Sequence, residues 1–470
     1  MDALEGFVWG QTWQLGYDRN PWMNAWLTSI AVFLGGQSGW LVYLLSQGSI
    51  ALCFLSIWRL GKKFLSPHYA LIAVFLLEGV QYYSLAAVDF NDNVLELGLW
   101  AALSLCFYNA ITEQKLRDWL LTGIFAALSL MTKYYAVVMF IPMLLLVLCS
   151  REGRASFKTT GIYWCMLIFF CLIAPHFIWL VKHDFITIKY ALARVHTNNS
   201  SWHQNSYWYF AVAQLLAFTV PLLLFLLLWL VGKNQNNSSH KVHKNDHITH
   251  FTKLFLVTLG LGPYLITIIF SALFDLSLHT MWGTPLLSLW GLLLVTFIPP
   301  QISPTKFYWF IATTFSVLIG IAAAYSYNLV YTGYESSATY PGKAIFEKII
   351  KEWSAVYPQH CYPSYVIGDR YSAGNIAYFS TNNTKVLRAC IWDNKTYSCA
   401  SDEEIYSNGA VFIWRVGEKD YQKEENKELI HKIKNRFPKA VFLENKEFKW
   451  IYHPQGPSLY IGLALLPPKH

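Results

Sequence analysis

Ten stretches of mostly apolar residues, each near the length of a membrane-crossing helix, limit what this chain can become. They run over about 39–58, 67–83, 93–111, 119–132, 134–149, 160–181, 207–231, 254–275, 281–298 and 307–326. A helix needs about 17–25 apolar residues to cross the hydrocarbon core. In lipid, only a helix or a closed barrel satisfies its own backbone. The fourth and fifth stretches share one apolar run and are divided at Lys133. Charge separates this part from the tail. Residues 1–326 hold 18 Lys/Arg and 13 Asp/Glu, whereas the much shorter 335–470 holds 18 and 15, a density ordinary for a soluble domain. The expected fold class is a polytopic α-helical membrane protein over 1–330 with a C-terminal soluble α/β domain over 335–470. Such a composition excludes disorder, collagen and a small disulfide scaffold. The net charge of +8 does not point to nucleic acid, because in the apolar part the excess sits in short loops.

Those loops give an orientation. One set holds Arg59, Lys62, Lys63, Lys115, Arg117, Arg151, Arg154, Lys158, Lys233, Lys241, Lys244, Lys253 and Lys306. The opposite set holds only Arg19, Lys133, Lys182, Lys189 and Arg194. Positive loops stay inside, so the first set is expected in the cytoplasm. Residues 1–22, the turn at 84–92, Lys133, the loop 182–206 and the C-terminal domain then face outward. The opening MDALEGFVWGQTWQLGYDRNP has no signal-peptide pattern, and a chain that starts outside suggests a first helix upstream of Met1.

In the tail, Ile345, Phe346, Ile349, Ile350 and Trp353 fall at helical spacing within 341–357. A second amphipathic helix is expected at 425–437. Strands are expected at 364–368, 375–380, 385–390, 410–416, 440–443 and 459–465. Cys390 and Cys399 flank a turn-like segment and are the favoured disulfide pair of the outward domain; no metal-ligand spacing of cysteines occurs. His240, His243, His247 and His250 lie in the polar stretch 232–250, which reads as a solvated cytoplasmic linker.

Ionisable groups at the ends of membrane helices are functional candidates by default. Three groups converge on the outward side: Asp2, Glu5, Asp18 and Arg19; then Glu78, Asp89 and Asp92; then Lys133 with Tyr134 and Tyr135, and Lys182, His183 and Asp184. A carboxylate can deprotonate a hydroxyl nucleophile while Lys, Arg, Tyr and His stabilise a departing phosphate. A lipid-borne phosphate fits a chain without a Gly-rich phosphate loop. Each charge reads alternatively as a solvated loop residue, Tyr134 and Tyr135 as an interfacial aromatic belt, and His183 as a hydrogen-bonded loop histidine.

The segment DALEGFVWGQTWQLGYDRNPWMNAWL (2–27) resembles the first outward loop of the GT-C glycosyltransferases of family 39, matching at Asp2, Glu5, Trp9, Gln11, Gly16, Tyr17 and Pro21. Ala3 and Trp22 depart from that pattern, standing where the family commonly has Glu and a second Pro. FNDNVLELGLW (90–100) is similar to the family's second acidic turn, with Asp92 in the acidic position. Lys133 and Tyr134 match its Ser-Lys-Tyr segment; Pro175, Trp179 and His183 match a later loop; His279, Trp282 and Pro285 match the segment after it. The tail resembles the outward domain of the Rgt-like branch.

The resemblance implies inverting transfer of a sugar from a polyprenyl-phosphate donor to an acceptor hydroxyl, on lipid A, lipopolysaccharide core or another glycoconjugate. The setting it implies is the outer face of a bacterial inner membrane, with the C-terminal domain periplasmic. It implies Asp2 as general base, Glu5 supporting the acceptor or a metal, and Asp92 shaping the same pocket. Lys133, Tyr134 and His183 become donor-phosphate residues, followed by Lys182 and Arg19. It implies no certain cofactor and leaves room for a divalent metal. The competing reading is a transporter or lipid flippase whose ionisable residues line a pathway.

Overall fold

The computed structural model describes residues 2–195, 206–232, 248–332, 335–380, 384–387, 400–416 and 420–469. Cys390, Cys399, His240, His243 and His247 lie outside the described residues. The chain opens with α1 (Asp2–Gly10), α2 (Met23–Gly35), α3 (Trp40–Gly61), α4 (Pro67–Glu78), α5 (Asp92–Glu113) and α6 (Leu116–Thr132). It continues through α7 (Val137–Cys149), α8 (Arg151–Ala155), α9 (Gly161–Lys182), α10 (Ile186–Val195), α11 (Ser206–Ala217) and α12 (Thr219–Gly232). Then follow α13 (His250–Phe274), α14 (Trp290–Phe297) and α15 (Pro304–Tyr331). The tail runs α16 (Gly342–Val356), β1 (Tyr365–Gly368), α17 (Arg370–Phe379), β2 (Lys385–Val386), α18 (Asp402–Asn408), β3 (Ala410–Val416), α19 (Asp420–Arg436), β4 (Val441–Trp450) and β5 (His453–Leu466).

Contacts group these elements into two compact units. One comprises Leu15–Asn24 and Tyr43–Ala322; the other comprises Met1–Gln14, Ala25–Val42 and Ala323–His470. The division differs from the expected boundary near 330–335, because α1 and most of α2 belong with the tail.

Among the described residues, six helices are long and apolar enough to cross a membrane, or eight if each of two bent pairs is one span. The ten apolar runs are therefore not ten straight helices. The run at 67–83 is helical only to Glu78, where Gly79 caps it. The run at 281–298 is a 3₁₀ stretch, Thr280–Leu287, and then α14, bent by 48°. Pro285 interrupts the ladder there, since proline lacks the N–H an α-helix requires. A further bend of 79° separates Tyr134–Cys149 from Arg151–Lys158.

The membrane unit is organised around α5. Asn91 caps it, its side chain accepting from the backbone N–H of Asn93 (2.9 Å) and Val94 (3.2 Å). Nearly every residue of this helix is buried, and Trp100, Leu103 and Phe107 enter one continuous core with residues of α3, α4, α7 and α13. α6 packs beside it and α9 packs on α6, where Gly123 allows the approach: a Cβ there would stand 2.5 Å from the Cys165 carbonyl oxygen. Small residues at such crossings are the membrane solution to helix packing.

The other unit contains a five-stranded sheet in the order β2-β1-β3-β5-β4, parallel across β2-β1-β3 and antiparallel beyond. Residues 375–380, expected as a strand, lie mostly in α17. Asp369 caps that helix by accepting from Tyr371 and Ser372 N–H, and Ala373, Ile376 and Ala377 fall on one buried helical face. α1 packs on α17 through Leu4 and Val8, close to Gly374. Gln11 then clasps the sheet edge: its amide donates to the Thr384 carbonyl (3.2 Å) and accepts from the Val386 N–H (3.3 Å).

Candidate active site

In the membrane unit, the ten residues Leu15–Asn24 tie together the start of α5 and the end of α9. Tyr17 N–H donates to the Asn20 carbonyl at 3.0 Å and Gly16 bridges Pro21, which folds the segment into a tight loop. The Leu15 carbonyl meets His176 Nδ1 at 2.6 Å. Gly16 lies flat on two rings; an added Cβ would stand 2.5 Å from Trp179 and 2.9 Å from His176. Thr187 at the start of α10 donates to the Tyr17 carbonyl at 2.5 Å. Arg19 sits 5.1 Å over the Tyr190 ring and 3.8 Å from Asp18. Asn20 donates from Nδ2 to Asp92.

Asp92 opens the first turn of α5, where a negative charge meets the positive end of the helix dipole. Its neighbour Asn93 accepts from Lys133 Nζ at 2.5 Å. Lys133 caps the end of α6 in extended backbone and stands 5.7 Å over the Trp282 ring. His279 packs edge-on against the same indole. The carboxylate of Asp92, the cation of Lys133 and an aromatic wall are thus gathered from α5, α6 and the 3₁₀ stretch after α13.

One turn deeper, Glu96 is wholly buried and within electrostatic reach of Lys133, Asp92 and Tyr135. Residues at i and i+4 share a helix face, so Asp92 and Glu96 lie one above the other. Sequence reading passed over Glu96, although an acid inside the apolar run NVLELGLW was the available signal.

Tyr134 begins the second half of the site. Its hydroxyl is 2.6 Å from His176 Nε2. A carbonyl can only accept, so His176 Nδ1 carries a proton toward Leu15. In the neutral ring, Nε2 then accepts, and Tyr134 is the donor. The single phenolic proton is committed to His176 in that state. His176, Trp179 and His183 form a stack along α9, with His176–Trp179 planes 12° apart and Trp179–His183 centroids 4.2 Å apart. His183 Nδ1 donates to the Trp179 carbonyl at 2.7 Å. Beyond it the chain turns through Asp184 and Phe185, with φ of 51° and 54°, a left-handed pair that non-glycine residues seldom adopt. His176 was also missed, though its spacing from Trp179 and His183 was visible.

The structure therefore brings Arg19, Asp92, Lys133, Tyr134 and His183 onto elements linked by one loop. Lys182 is exposed, and among the described residues its side chain makes no hydrogen bond or ion pair. Asp2 and Glu5 belong to the other unit, in the first turn of α1, with Asp2 exposed and Glu5 half-buried. Among the described residues, no three His, Cys, Asp or Glu side chains are grouped as metal ligands would be.

Residues 19–179 match the family described as dolichyl-phosphate-mannose-protein mannosyltransferase. The lipid A galacturonosyltransferase RgtD of Rhizobium johnstonii is 23% identical over 239 residues, which cover 49% of this chain and 48% of that protein. The match thus spans about half the length of that relative. Among solved structures, ArnT of Cupriavidus metallidurans, bound to undecaprenyl phosphate, aligns with a TM-score of 0.62 at 11% identity, covering 98% of this chain and 93% of that one. The fold is that of the GT-C membrane proteins, and the chain is like the family-39 glycosyltransferases in the segment that carries Arg19, Asp92, Lys133 and Tyr134.

Proposed function

We propose that the chain is an integral membrane glycosyltransferase that moves a sugar from a polyprenyl-phosphate donor to a hydroxyl of a lipid A-like acceptor. The reaction is placed at the outer face of a bacterial inner membrane, with the C-terminal domain periplasmic. The observation that carries this reading is Lys133, held by Asn93 next to Asp92 in the segment like family 39. The acceptor and donor classes are supported by the relatives, one named a lipid A galacturonosyltransferase and one solved with undecaprenyl phosphate.

In the proposed step the acceptor oxygen bonds to the anomeric carbon as the bond from that carbon to the phosphate oxygen breaks. Charge grows on the departing phosphate, and a fixed cation stabilises it most at that moment. Lys133 supplies the cation, and Trp282 supplies an aromatic wall beside it. Asp92 shapes the pocket through Asn20. Tyr134, whose hydroxyl meets His176, and His183, stacked on Trp179, are the further donor-phosphate residues. The hydroxyl proton is assigned to Asp2 as general base, with Glu5 in support, on the motif resemblance alone. Lys182 and Arg19 are secondary phosphate residues.

The test is transfer by purified protein from undecaprenyl-phosphate sugars to lipid A, read by mass spectrometry. Product from wild type and at most about one hundredth of it from Lys133→Met is the expected result. No product with any sugar, together with lipid translocation in vesicles, favours a flippase instead.

A further inference from the structure

Away from that site, α12 and α15 leave a groove between them. Leu224, Leu227 and Leu228 face Trp309 and Phe310 across it, and Lys306 stands at the end where α15 begins. The leucines lie at i, i+3 and i+4, and Lys306, Trp309 and Phe310 repeat that spacing, so each helix presents one continuous stripe. The groove has a volume of about 190 Å³ and is open along one side, room for part of a chain-like ligand lying along the two helices.

The lining selects the occupant. Apart from Lys306 and Thr313 it is apolar, which suits a hydrocarbon chain and not a sugar or nucleotide. Lys306 is half-buried in the first turn of its helix, where a cation opposes the helix dipole. Among the described residues, no carboxylate reaches it. An anion there satisfies the ammonium, while Ser303 already accepts from the Lys306 and Phe307 N–H groups. Trp309, 69% exposed one turn further along, is the residue type that settles at headgroup level. An anion joined to a hydrocarbon chain is a phospholipid.

We propose that this groove binds one anionic phospholipid, with an acyl chain between α12 and α15 and the headgroup phosphate on Lys306. The site is separate from the proposed sugar-transfer chemistry and does not depend on it.

Native mass spectrometry of the detergent-purified full chain, with phosphatidylglycerol or phosphatidylcholine of matched acyl chains, tests this directly. Wild type is expected to retain the anionic lipid roughly five-fold better, the size of one lysine's attraction to an anionic surface. Lys306→Gln should abolish the preference, Leu227→Trp should fill the groove and lower retention of both lipids, and Lys158→Gln should change neither. A readout on the unmodified chain accompanies the variants: phosphatidylglycerol with a diazirine in its acyl chain should label peptides containing Leu224–Leu228 or Trp309–Phe310. Equal retention of the two lipids, or labelling confined to other peptides, would overturn the proposal. So would displacement of the probe by stoichiometric undecaprenyl phosphate, which would make the groove the donor's own path.

Discussion

Among the helices that begin with acids, α5 and α1 are anchored through different segments of the chain. α5 starts at Asp92, where Asn20 donates to the carboxylate and Lys133 donates to the next residue. α1 starts with Asp2 and Glu5 in its first turn. Its far end carries the buried face Gly6–Gly10, followed by the Gln11 clasp on β2. An acid at a helix start is favourable through the dipole in either case. The acid alone therefore says little about chemistry; what the structure shows at α5 is a cation, Lys133, and an amide, Asn20, brought to its first turn from other segments.

The sharpest way to break this contrast is to exchange the effects of the two ends. Lys133→Met should lower transfer by at least ~10²-fold, the usual cost of losing a group that stabilises developing charge. Initial rates on an undecaprenyl-phosphate sugar measure it, with Asp2→Asn assayed beside it. An unchanged rate in Lys133→Met and a collapse in Asp2→Asn would shift the chemistry to α1.

Next in size is Gly16→Ala. The added methyl has no room against Trp179 and His176, and overpacking of this kind costs ~1–3 kcal/mol. A lowered melting temperature and reduced transfer together are expected. Full stability would mean that the loop can lift from the α9 stack.

On the α1 side, Gln11→Leu removes both partners of the β2 edge. Each orphaned backbone group costs ~1–3 kcal/mol if buried. Faster hydrogen exchange at the Val386 amide, with exchange in α5 unaltered, is the expected signature.

The smallest effect concerns pH and the sheet-containing unit alone. Lys446 and Lys348 hold the Glu352 carboxyl below its ordinary value, at 3.0 Å and 3.3 Å. A depressed carboxylate contributes stability above its unfolded value of 4.5, and that contribution fades as pH falls through the lower folded value. The pairs are partly exposed, so the contribution is at most ~1 kcal/mol. Lys446→Met should lower the melting temperature slightly at pH 7, with the difference from wild type shrinking as pH falls below 4.5.

Much of the fold was legible because apolar length is decisive in lipid. The failures have local causes. Pro285 breaks a run that hydropathy alone reads as continuous. In α17, Asn375–Phe379 contains strand-favouring residues, yet the Asp369 cap starts a helix ahead of them. In the site, Lys133, Tyr134 and His183 were visible as polar residues at the ends of apolar runs. Asn20 and Asn93 were not, because an uncharged amide in a loop or first turn carries no signal until its partner is known. Glu96 and His176 sit inside spans, where an ionisable residue signals function by the same rule but not which partner it meets.

The grouping of segments has a practical corollary for anyone who would divide the molecule. The polypeptide passes between the two compact units at Gln14/Leu15, Asn24/Ala25, Val42/Tyr43 and Ala322/Ala323. No single cut yields both as continuous pieces. A fragment beginning near residue 335 keeps the whole sheet but leaves behind α1, most of α2 and the Gln11 amide at the edge of β2. Expressed by itself, such a fragment would present to solvent the face of α17 that Leu4 and Val8 cover, and would report on a truncated module instead of the native one.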